Sequence, residues 1–124
     1  MKLLIESSAI IYYLRSNKKV KEVILNSEDF YASSLTVYEI LLGKVKESEI
    51  LDFLSGFKII NPTKKDAIIG SQIYKKLKDR GKLIGSFDIL ISAQAINKRL
   101  ILVTKDSDFL KVKEKFDELN LILI

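Results

Sequence analysis

The sequence predicts an α/β protein, a three-layer α/β/α arrangement around a central, mostly parallel sheet of four to five strands. Three observations carry this. Short apolar runs alternate with amphipathic segments, as they do where right-handed crossovers join parallel strands. The run Leu100-Ile101-Leu102-Val103 has no polar alternation, as expected of a strand covered on both faces. Acids with apolar neighbours fall just beyond strands or in the helices next to them, where an open α/β sheet forms its ligand crevice.

The elements follow in order. Residues 2–5 form a first apolar strand, and Glu6-Ser7-Ser8 leads into a helix through Leu14, with Ser7 or Ser8 as its cap. That helix fades at Arg15-Ser16-Asn17, and a second, Lys19 to Leu25, groups Val20, Val23 and Ile24 on one face. Phe30-Tyr31-Ala32 is a short second strand, and Ser33 or Ser34 caps a helix from Leu35 to Lys46. Ser48 to Leu54 is a further short helix stopped by Gly56, and Lys58-Ile59-Ile60-Asn61 a third strand ended by Pro62. A long amphipathic helix runs from Lys64 to Asp79. The helix after Gly85 is apolar on nearly all sides, turns at Asn97-Lys98-Arg99 and enters the strand at residues 100–103. Leu110 to Lys113 is a short helical segment and residues 121–124 a last strand.

A chain of 124 residues is expected to be one domain, residues 1–124, with a real core, and 48% hydrophobic content favours a compact protein over a disordered one. No apolar run approaches the roughly 20 residues that span a bilayer. An acid at Glu6 interrupts the N-terminal apolar run, so a signal-peptide core is not expected and a cytoplasmic setting is.

The chain has no cysteine and no histidine. That excludes disulfides, thiolate nucleophiles, Ser-His-Asp triads, imidazole acid–base catalysis and the usual zinc sites. Catalysis is left to carboxylates, hydroxyls, lysines, arginines and tyrosines, and an all-oxygen ligand set favours magnesium, manganese or calcium. A net charge of +5 favours anionic partners. Positive charge to hold phosphates, beside a local acidic pocket for a metal, is what a nuclease needs.

The candidate acids are Glu6 after the first strand, Glu39 in the helix after the second, Asp88 at the start of the helix before the fourth, and Asp106 and Asp108 just after it. Glu39 shares its helix face with Leu35 and Leu42, which predicts a buried carboxylate in need of a partner. Each acid also has a structural reading: Asp88 complementing a helix dipole, Asp106 or Asp108 capping a helix, Glu6 solvated, Glu39 paired with a lysine. Ser8 and Thr104 are supporting hydroxyls or caps. Lys75, Lys76, Lys78, Arg80 and Lys82 form a basic group, a solvated face or an RNA-backbone contact.

Four segments, in order, resemble the PIN-domain ribonucleases, and most of all the small VapC-type toxins of prokaryotic toxin–antitoxin pairs. MKLLIESSAII is similar to the family's strand–Asp-Thr-Ser–helix opening, and SSLTVYEILLGK to its Ser-x-x-(Thr/Ser)-x-x-Glu-(Leu/Ile) helix. RGKLIGSFDILISAQAI resembles its Gly-x-x-Asp block, and LVTKDSDF its Thr-x-(Asn/Asp)-x-Asp-Phe ending. The resemblance implies a PIN-like fold and a metal-dependent endoribonuclease. Glu6, Glu39, Asp88 and Asp106 would be ligands for Mg2+ or Mn2+, with Asp108 an accessory acid and Ser8 and Thr104 supporting them. It also implies an RNA substrate, a cognate antitoxin and a homodimer.

One departure bears on activity. Where the family has aspartate, this chain has Glu6, one methylene longer, and a shift of roughly 1 Å at a reacting centre can cost about a hundredfold in rate. The alternative expectation is therefore a catalytically weakened module that binds RNA or an antitoxin. A phosphoacceptor receiver domain is a third class, but it needs paired acids after the first strand and an acceptor aspartate after the third. Glu6-Ser7-Ser8 and Asn61-Pro62 supply neither.

Overall fold

A computed structural model describes residues 1–124. Its elements are β1 (Lys2–Ile5), α1 (Ser7–Leu14), α2 (Lys18–Leu25), β2 (Asp29–Ser33), α3 (Ser34–Leu41), α4 (Glu47–Leu54), β3 (Lys58–Ile60), α5 (Lys64–Asp79), α6 (Ser86–Lys98), β4 (Ile101–Thr104), α7 (Phe109–Lys115) and β5 (Asn120–Leu123). All five strands are parallel, in the order β3-β2-β1-β4-β5.

The strand alternation builds the three layers. Leu4 and Leu102 point to one face, where they pack with Ile73, Leu77, Ile91 and Phe109 from α5, α6 and α7. Leu3, Ile5 and Val103 point to the other, against Ala9, Ile10, Ile40 and Leu54 from α1, α3 and α4. Burying both faces is what the unbroken apolar strands require. Tyr13, Phe53, Phe57 and Phe30 close the second layer as a chain of ring contacts.

Three sequence expectations are corrected. Neither Ser7 nor Ser8 caps α1: Glu6 does, its side chain accepting from Ser8 N at 3.1 Å. The helix expected to reach Lys46 ends at Leu41, because the Gly43 N–H donates to Ile40 O in a tightened last turn and Leu42 has no core contact to carry the helix on. Leu42 is 68% exposed, so the apolar enclosure expected around Glu39 is only half built, from the Leu35 side. Of the two serines offered as caps for α3, Ser33 serves, accepting from Leu35 N. No helix is long and apolar enough to cross a membrane.

α5 and α6 form an antiparallel hairpin. Asn97 Nδ2, late in α6, donates to Asp66 Oδ1, early in α5, at 2.8 Å, and Gly70 lies against Ile89, Leu90 and Ala93. A Cβ on Gly70 would stand 3.3 Å from Leu90 Cδ2, so glycine sets this close approach.

Candidate active site

The chain leaves β1 for one side of the sheet and returns to the other through β4, so the β1/β4 border is the topological switch point. Ile5 is in register with Val103, and the Glu6 N–H donates to Val103 O at 3.0 Å. Glu6 and Thr104 therefore leave the sheet side by side at its C-terminal edge.

Glu6 is buried, with 6% of its surface exposed, and its Oε1 gathers several donors. Thr104 Oγ1 donates to it at 2.6 Å, the Ser8 N–H at 3.1 Å, and the Ser8 hydroxyl as well. The Lys105 N–H donates to Ser8 Oγ at 2.9 Å, and the Asp106 N–H to Thr104 Oγ1 at 3.0 Å. The Asp108 N–H then donates to Asp106 Oδ1 at 2.9 Å. These bonds tie the loop after β4 to the start of α1. Ser8 and Thr104 thus both support Glu6, and neither caps a helix.

Glu39 enters from α3, half-buried, with Ser7 Oγ donating to its Oε1 at 3.1 Å. Burial pushes its pKa up, the Ser7 bond pulls it down, and the nearby Glu6 raises it again. Asp88, in the first turn of α6, has its pKa pushed up to about 7 by burial first, and then by Glu6, Glu39, Asp106 and Asp108. No cation is among the influences on Asp88. The fold thus brings all five predicted acids to one end of the sheet. Asp108 lies at its margin, 3.2 Å from Lys111 Nζ.

As the side chains stand, no three acids form a group able to hold a metal ion. Glu6 gives one reason, since its Oε1 is turned to the hydroxyls of Ser8 and Thr104. In chemistry the donor set still suits a hard divalent cation: it is all oxygen, negative and partly desolvated. A groove of about 480 Å³ opens beside Glu39, with apolar walls including Ile11, Leu14 and Ile40 and with Arg15 and Lys44 along it.

The basic residues are exposed and lie late in α5 or in the loop that follows, so the hairpin carries them to the end where Asp88 opens α6. Lys78 Nζ lies 6.0 Å from the Tyr74 ring centroid, and Lys82 pairs with Glu114 at 3.3 Å. Two neighbours of the site escaped sequence reading. Ser7 supports Glu39 instead of capping α1, and Lys105 Nζ sits 5.4 Å over the Tyr12 ring. The signal for Ser7 was its adjacency to Ser8: consecutive residues at a helix start point to different neighbours.

The PIN-domain family model matches residues 3–115. The chain belongs to the PIN-domain family. Within it the chain is a VapC-like toxin–antitoxin member, in a family of nucleases. It is 32% identical to Ribonuclease VapC3 of Methanocaldococcus jannaschii over 93 residues, 75% of this chain and 97% of that protein. It is 31% identical to Ribonuclease VapC2 of Haemophilus influenzae over 117 residues, 86% of this chain and 87% of that one. Among solved structures it resembles FitAcB from Neisseria gonorrhoeae, with TM-score 0.79 and 25% identity, covering 97% of this chain and 96% of that one. VapBC2 from Rickettsia felis, bound to a DNA fragment of its promoter, shares the fold with TM-score 0.79 and 23% identity, covering 100% of this chain and 99% of that one.

Proposed function

We infer that this PIN-domain protein is a metal-dependent endoribonuclease, the toxin of a toxin–antitoxin pair. The observation that carries the reading is Asp88. The fold holds four further acids around it and sets no cation against Asp88 itself. Only Asp108, at the margin, has a lysine partner, Lys111, so the arrangement has little structural return unless a cation joins it. Glu6, Glu39, Asp88 and Asp106 would hold Mg2+ or Mn2+, with Asp108 at the margin. A bound divalent cation supplies the positive charge that in-line displacement at phosphorus requires.

The chain's own groups do the rest. Ser8 and Thr104 fix Glu6, and Ser7 fixes Glu39. Asp88, with its pKa raised to about 7, can hold or release a proton near neutral pH. Lys75, Lys78, Arg80 and Lys82 would bind the RNA backbone, Lys82 after leaving its exposed pair with Glu114. An antitoxin peptide would cover the acids by way of the groove beside Glu39. The homodimer is part of the same reading, supported by a shallow apolar hollow of about 350 Å³ at Val37, Leu51, Leu54 and Ile59, beside the edge strand β3. A single functional domain in a cytoplasmic setting completes it.

The test is cleavage of labelled single-stranded RNA by antitoxin-free protein in Mn2+, Mg2+ or EDTA. Wild type should cleave only with metal, and Asp88→Asn should lose on the order of a hundredfold or more. Metal-independent cleavage, or an active Asp88→Asn, would sink the reading. The second reading, a weakened binding module, is favoured by the attachment of Glu6 Oε1 to hydroxyls. A Glu6→Asp variant that cleaves far faster than wild type would select it.

A further inference from the structure

Two rings stand beside the acids and have no part in the chemistry above. Tyr38 directly precedes Glu39 in the last turn of α3, and Phe87 directly precedes Asp88 in the first turn of α6. Their ring centroids lie 5.7 Å apart at an interplanar angle of 63°, an edge-to-face contact between the two helices that carry these acids. Phe30, Tyr13, Phe53 and Phe57 spend their rings on the second layer of the core. Tyr38 does not: 55% of its surface faces solvent although Phe87 holds the ring in place.

An exposed aromatic ring with a fixed orientation is costly to leave in water and poor as core packing. Next to acids that would act on a phosphodiester, and at the end of the hairpin that carries Lys75, Lys78 and Arg80, it has a use. Single-stranded nucleic acid is held by this combination, with cations on the backbone and a ring under a base.

We propose that Tyr38, braced by Phe87, is a stacking platform for one unpaired nucleobase of the RNA, next to the phosphodiester that the acids address. The proposal rests on the ribonuclease reading. Stacking uses the π-face that every base has, so the platform selects unpaired RNA over duplex without selecting a sequence. The Tyr38 hydroxyl takes no part, so phenylalanine should serve as well.

The experiment measures binding of labelled single-stranded RNA in EDTA to wild type, Tyr38→Phe and Tyr38→Leu, each shown folded by its melting curve. The RNA is used intact and as a set carrying one abasic nucleotide, moved along the strand. Tyr38→Phe should bind as wild type, and Tyr38→Leu about tenfold more weakly. One abasic position should weaken wild type by the same factor and Tyr38→Leu no further, the coupling expected of a ring and a base in contact. The platform is overturned if Tyr38→Leu binds intact RNA as wild type does, or if every abasic strand costs both proteins equally. The latter would leave Tyr38 as a brace between α3 and α6. Metal-dependent cleavage by wild type with unimpaired Tyr38→Leu removes the platform alone. Wild type that neither binds nor cleaves RNA removes the ribonuclease reading and the platform with it.

Discussion

Asp66 and Asp88 sit in the first turns of α5 and α6, so each helix of one hairpin starts with an acid. Their surroundings are opposite. Asp66 has no exposed surface, yet its oxygens are provided for: the Thr63 N–H donates to Oδ2 at 2.9 Å and Asn97 Nδ2 to Oδ1 at 2.8 Å. Thr63 Oγ1 accepts from the Asp66 N–H in return, which completes a capping box. Asp88 is less buried and far less comfortable, with four other acids acting on it. Burial alone therefore does not mark a functional acid here. The fold answers the charge of Asp66 with hydrogen bonds and aggravates that of Asp88, the acid to which the proposed function assigns a cation.

The comparison can be broken at its structural end first. Asp66→Ala would leave the Thr63 N–H and the Asn97 carboxamide without their acceptor in a buried place, at a cost of about 2–4 kcal/mol. For a chain of this size the melting temperature should fall by roughly 10 °C. RNA cleavage below that temperature should change little. A variant that melts like wild type would show that Asp66 is not what holds the hairpin together.

A smaller effect should appear with pH at the other end. Folded Asp88 keeps its proton up to a pH of about 7, whereas its ordinary value is 3.8. Between those values the folded state binds more protons than the unfolded, so stability falls as pH rises through the window and levels off above it. Glu39 is raised too and acts in the same direction. Melting in EDTA should therefore drop by a few degrees from pH 5 to pH 7.5, and Asp88→Asn should flatten the slope. A melting temperature that rises over this range would contradict the electrostatic picture of the site.

Much of this was legible in the sequence because it depends on local periodicity. Unbroken apolar strands imply the parallel sheet, and parallel strands bring their C-terminal ends to one edge, so the sequence alone groups Glu6, Thr104 and Asp106. What was hidden depends on contacts between distant segments. The sequence does not show the full role of Asp66, because its capping box is local but its Asn97 partner is 31 residues away. α3 ends earlier than its sequence implies because Leu42 is apolar but finds nothing to pack against. Ser7 and Ser8 read as caps, a local role. The Ser7 hydroxyl finds Glu39 only where α1 meets α3, and Ser8, which donates to nearby Glu6, accepts from the Lys105 N–H only where α1 meets the loop after β4.

The most direct measurement is the melting temperature of wild type and Asp88→Asn at pH 7.5, in EDTA and then in excess Mn2+. If the acids are held apart for a cation, Asp88→Asn should melt above wild type in EDTA, because it removes a charge the fold opposes. Mn2+ should then raise wild type, by about 2.7 kcal/mol at a hundredfold excess over its Kd, and raise Asp88→Asn much less. Equal Mn2+ shifts in both proteins, or an Asp88→Asn that melts below wild type in EDTA, would contradict the account.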